Sequence, residues 1–136
     1  MLEISNQGAV WNFPALKKGY FETSVYIPEG SQGGRISLNE RWFNPCDTTA
    51  YMFAMYNFEL SSLEINRWYD LRFEWELNDD NNSCKVMDAE GIVLDTLQLN
   101  KACMNGISYV HFISTAHQED DKGFLIGPVK ADIIND

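Results

Sequence analysis

The run Arg67-Trp68-Tyr69-Asp70-Leu71-Arg72-Phe73-Glu74-Trp75-Glu76-Leu77 constrains this chain more than any other segment. From Asp70 onward apolar and charged residues alternate without a break. A period of two sends successive side chains to opposite faces of a strand. One face is charged and wet; the other is expected to carry two indoles, Trp68 and Trp75, with the ring of Phe73 between them. Such a strand belongs to an antiparallel sheet that covers a hydrophobic core on one side only.

The rest of the chain supplies enough apolar material for that core. Hydrophobic residues make up 45% and aromatics 13% of 136 residues, a length that favours one domain spanning 1–136. A chain of this size buries roughly two-thirds of its unfolded surface. The formal net charge is −10. Nucleic acid is an improbable partner, because phosphate contacts need clustered Lys and Arg. An anionic bilayer surface is disfavoured by the same sign of charge. No stretch approaches the ~18 apolar residues of a spanning helix, so no membrane insertion is expected.

Strand-like segments follow one another along the chain, near 9–13, 20–27, 34–43, 50–58, 67–77, 83–88, 92–99, 107–114 and 124–133. Turn chemistry separates them: Pro28-Glu29-Gly30, Asn44-Pro45, Asn105-Gly106 and Asp121-Lys122-Gly123 among others. This spacing suggests a sandwich or barrel. Cys84 to Leu94 reads as a hairpin with its turn at Ala89-Glu90-Gly91, so 67–99 forms a three-stranded meander. Pro128 lies inside the last strand, where it cannot donate to a ladder; an edge or a bulge is expected there. The three cysteines, Cys46, Cys84 and Cys103, are odd in number and widely spaced, with no C-x-x-C pair. They are expected as buried thiols rather than a disulfide framework or a zinc site.

Asn66-Arg67-Trp68-Tyr69-Asp70-Leu71-Arg72-Phe73-Glu74-Trp75, followed by Cys84-Lys85-Val86-Met87-Asp88-Ala89-Glu90-Gly91, resembles a signature of the concanavalin A-like lectin and glucanase superfamily, including its laminin-G-like members. Gly19-Tyr20-Phe21-Glu22-Thr23-Ser24-Val25 and the closing segment Phe124 to Asp132 are similar to further strands of that superfamily. The resemblance implies an all-β, two-sheet antiparallel β-sandwich, a concanavalin-like jelly roll. Asn105-Gly106-Ile107-Ser108-Tyr109-Val110-His111-Phe112 looks like a segment of modules in large bacterial polysaccharide-processing proteins. The implied role is a non-catalytic accessory or carbohydrate-binding module of a bacterial extracytoplasmic glycan-processing protein, periplasmic, cell-surface or secreted. Its partners would be a glycan or a neighbouring catalytic domain. A glycoside hydrolase-type domain and a purely structural bracing domain are the alternatives.

The residues themselves weigh on these alternatives. Retaining hydrolases of the superfamily carry E-x-D-x-x-E, and retention needs two carboxyl groups about 5–5.5 Å apart. The nearest approach here is Glu119-Asp120-Asp121-Lys122-Gly123-Phe124, with Phe124 where the second Glu would stand. Glu74 and Glu76 share a strand face and read as solvated. No G-x-S-x-G elbow accompanies the two histidines, His111 and His117. No catalytic residue is therefore assigned. Calcium, which takes 6–8 oxygen ligands, has only weak candidates in Asp79, Asp120 and Asp121, and none fits the D-x-[DN]-x-[DN]-G loop. No other cofactor is expected.

Sugars are held by aromatic rings against their C–H faces and by planar polar groups at their hydroxyls. In 107–114, Tyr109 and His111 point to one side, Val110 and Phe112 to the other. In 35–43, Ser37, Asn39 and Arg41 lie opposite Ile36, Leu38 and Trp42. If the two polar sides share a sheet surface, Asn39, Arg41, Tyr109 and His111 form the candidate carbohydrate patch. Trp68 and Trp75 are expected in the core. Asn81-Asn82-Ser83 matches a glycosylation sequon and reads as a turn.

Overall fold

Alternation builds the first layer directly. Strand β3 (Lys18–Tyr26) buries every second residue, and β6 (Trp68–Glu76) runs antiparallel beside it in unbroken register from Lys18↔Glu76 to Tyr26↔Trp68. Phe21 therefore sits directly across from Phe73, both fully buried. Cross-strand aromatic pairs of this kind are the stabilising unit of a sheet. The computed structural model describes residues 2–4, 9–31, 33–39, 56–77, 83–98, 106–114 and 123–134.

Eight further strands complete two antiparallel sheets: β1 (Leu2–Ile4), β2 (Ala9–Leu16), β4 (Gly34–Asn39), β5 (Tyr56–Glu59), β7 (Ser83–Met87), β8 (Val93–Gln98), β9 (Ile107–Ser114) and β10 (Phe124–Ile133). The larger sheet runs β1-β10-β3-β6-β7-β8 and the smaller β2-β9-β4-β5. The fold is a two-sheet antiparallel β-sandwich of the jelly-roll kind. The only helix among the described residues is a single 3-10 turn, Leu60–Ser62.

The two sheets meet through rings. Phe21 contacts Phe112 of β9 at 6.0 Å, and Phe73 meets Phe58 of β5 edge-on at 5.7 Å. Edge-to-face geometry suits the ring quadrupoles and adds to the burial itself. Ile36, Leu38, Val110 and Phe124 fill the space between. Trp75 closes one end; it is buried, and its indole N–H donates to the Leu16 carbonyl at 2.9 Å. Gly34 is needed where it stands: a Cβ there would meet Phe124 Cδ1 at 2.7 Å and the Ile113 carbonyl at 2.9 Å.

Trp68 is not a core residue, contrary to the expectation; 46% of it is exposed. The cause is parity. Trp68 is an even-numbered neighbour of Asp70, Arg72 and Glu74, so its ring belongs to the charged face, while Leu71, Phe73 and Trp75 point inward. Cys84 is a buried free thiol, as expected. Burial, with a smaller contribution from the Glu74 charge, pushes its pKa well up, which keeps it protonated. Cys46 and Cys103 lie outside the described residues, as does the sequon. The register of β10 on β3 shifts between Ile126 and Val129, so Pro128 marks a bulge.

Candidate functional site

The outer face of the smaller sheet gathers most of the sequence-derived patch. Asn39 of β4 lies directly across from Tyr109 of β9, and Ser37 across from His111. On the other side of β9, Asn12 flanks Tyr109 and Val10 flanks His111. Ser37 donates its hydroxyl hydrogen to Asn57 Oδ1, and Arg35 pairs with Glu59 at 2.6 Å. Asn39, Tyr109 and His111 are thus neighbours on one surface. Arg41 lies outside the described residues. The patch is far less open than an exposed platform: Asn39 is 3% and Tyr109 4% accessible, with His111 half-buried. Burial raises the Tyr109 pKa to about 12 and lowers that of His111, so both are held uncharged at neutral pH. The calcium candidates Asp79, Asp120 and Asp121 lie outside the described residues. Among the described residues no group of three acidic, His or Cys side chains is placed to hold a metal.

The outer face of the larger sheet carries a different arrangement, built on the even-numbered residues of β3 and β6. A cross-strand row runs Lys130–Glu22–Arg72–Met87, from β10 to β7. Arg72 is the centre of this row. Its Nη1 donates to Glu22 Oε1 and its Nε to Glu74 Oε1, each at 2.6 Å. Its guanidinium also lies over the Tyr20 ring, 4.0 Å from the centroid. Burial works against the Arg72 charge, but the hydrogen bonds and charges of Glu74 and Glu22 outweigh it and raise its pKa.

One step along the strands, Ser24 donates its hydroxyl hydrogen to Asp70 Oδ1 at 2.7 Å. One step further, Tyr26 and Trp68 form a tilted ring pair 5.3 Å apart. The β7–β8 turn walls the far side. There Asp88 Oδ1 accepts from the backbone N–H groups of Glu90 and Ile92, and Gly91 adopts φ +82°. Between this turn and Pro128 and Lys130 of β10 lies a groove of about 710 Å³, floored by Glu22, Ser24, Asp70, Arg72 and Glu74. Its volume falls within the range of small-molecule sites.

Sequence reasoning missed this second face. The signal was present in the same alternating run: Trp68 shares parity with the charged residues, and an aromatic on the wet side of a strand has no core to fill.

No protein-family model and no curated protein sequence matches this chain. Solved structures do. A chain described as a sialidase superposes with a TM-score of 0.65 at 12% identity, over 93% of this chain and 14% of that one. Galectin-Ib of Xenopus laevis superposes with a TM-score of 0.59 at 13% identity, over 92% of this chain and 99% of the galectin. These likenesses establish that the β-sandwich fold is shared with both. The chain spans about one-seventh of the sialidase's length.

Proposed function

We propose that this chain is a non-catalytic carbohydrate-binding module, and that its binding surface is the groove on the outer face of the larger sheet. The observation that carries the reading is exposed Trp68, paired with half-buried Tyr26, standing in line with a polar groove. An exposed indole offers a flat apolar face for the C–H side of a sugar ring. Ser24, Asp70, Arg72 and Lys130, next along the same face, offer acceptors and donors for hydroxyls. The lectin-like sandwich is consistent with this use, although a fold by itself does not supply a function.

The wider setting proposed is a bacterial extracytoplasmic glycan-processing protein in which this module stands beside a catalytic domain. Its support is the sequence resemblance, together with the short share of the sialidase that the chain covers. A second location on the same molecule is the patch of Asn39, Arg41, Tyr109 and His111, supported by the register that brings three of these together. A bracing role also has an observation behind it. Ile92, Val93 and Leu94 are consecutive and exposed where the chain enters edge strand β8.

Affinity electrophoresis through gels containing soluble polysaccharides separates these readings. The account predicts retardation that Trp68→Ala abolishes and His111→Ala leaves intact. Retardation lost only in His111→Ala moves the site to the smaller sheet. Free migration in every polysaccharide favours bracing.

A further inference from the structure

Resting on the reading above, we infer that the groove selects uncharged oligosaccharides and rejects anionic ones, such as chains capped by sialic acid or built from uronic acids. The inference comes from which charges in the groove are already committed. Four carboxylates, those of Glu22, Asp70, Glu74 and Asp88, line it against two cations, Arg72 and Lys130. Arg72 is the group best shaped to grip a ligand carboxylate through two parallel hydrogen bonds. Here two of its N–H groups are taken by Glu22 and Glu74, and its ring-facing side is stacked on Tyr20. Lys130, at the rim, also leans over Tyr20, 5.7 Å from the ring centroid.

Lys130 forms no ion pair among the described residues, and against this one cation stand two carboxylates that also lack one. Among the described residues neither Asp70 nor Asp88 takes part in an ion pair. Asp70 receives one hydrogen bond, from Ser24, and it is the polar group next in line to the ring pair. Asp88 spends Oδ1 on its own turn. Ionised carboxylates only accept hydrogen bonds, and sugar hydroxyls donate them. A neutral pyranoside stacked on Trp68 would therefore present hydroxyls to Asp70. A ligand carboxylate in the same place would meet uncompensated negative charge, in a protein whose net charge is −10. Like charges brought together at an interface are a device for rejecting the wrong partner.

The test is a glycan array read with the whole chain, followed by calorimetric titration of the strongest neutral oligosaccharide and of the same core capped with sialic acid. The neutral core is expected to bind at least about tenfold more tightly, a gap that one unfavourable charge contact readily supplies. Trp68→Ala and Asp70→Ala should each weaken the neutral core by about tenfold or more, while the urea midpoint of both variants stays near wild type. Equal or tighter binding of the capped glycan overturns the charge selection and leaves the carbohydrate-binding reading standing. Neutral binding that both substitutions leave unchanged removes the groove as the site. No response from any glycan, neutral or anionic, overturns the binding reading itself.

Discussion

Trp68 and Trp75 lie seven positions apart on one strand, and an odd separation sends their rings to opposite faces of the sheet. Trp75→Ala should cost about 3–5 kcal/mol, since it empties a large buried volume and strips the Leu16 carbonyl of its donor. Trp68→Ala should change stability by less than about 1 kcal/mol. Urea denaturation of the two variants measures the contrast directly; equal losses would contradict the parity assignment. Ser108 presents the reverse case. Its hydroxyl is buried without a partner among the described residues, so Ser108→Ala should be neutral or stabilise by about 1 kcal/mol in the same measurement. His111 gives a pH signature. Burial lowers its folded-state pKa below the ordinary 6.5, so the unfolded chain binds the proton more readily. Stability is then lost as the pH falls below 6.5 toward the folded-state value. His111→Gln should flatten this part of the stability profile, which urea midpoints at pH 7.5 and 5.5 will show. The parity of Trp68 could be read from the run itself. The burial of Asn39 and Tyr109 could not, because the strands that flank them, β2, β4 and β9, are brought together only by pairing between segments far apart in sequence.

Strands β6, β7 and β8 follow one another in the sheet, and the β7–β8 turn is set by local chemistry. The β7–β8 turn is held by backbone bonds between Asp88 and Ile92 and between Gly91 and Asp88, with Gly91 in the left-handed region. An added Cβ at Gly91 meets no neighbouring atom within 4 Å, so Gly91→Ala isolates the backbone term. It should cost about 1–2 kcal/mol in denaturant unfolding. No loss would mean that the turn relaxes out of the left-handed conformation. This meander, its turn and the break at Pro128 were all legible, because each rests on residues close in sequence. The pairing of β10 with both β1 and β3 was not legible, nor was the short strand β1 itself. Three residues give too little alternation to recognise, and pairing across a hundred positions leaves no local trace. The strands expected over 34–43 and 50–58 are described as 34–39 and 56–59, with their remaining residues outside the described ones.

At the scale of the whole molecule, one dry layer of rings separates two wet faces of different character. The smaller sheet shows a polar surface whose central groups are buried; the larger shows an open groove in which four carboxylates face two cations, one of them, Arg72, already ion-paired. The account assigns sugar binding to the second. An amide-resolved NMR titration with the strongest neutral oligosaccharide tests this most directly. Signals of Glu22, Ser24, Tyr26, Trp68, Asp70, Arg72 and Gly91 should shift together and saturate, with Asn39, Tyr109 and His111 unmoved. Saturable shifts confined to β2, β4 and β9 would contradict it.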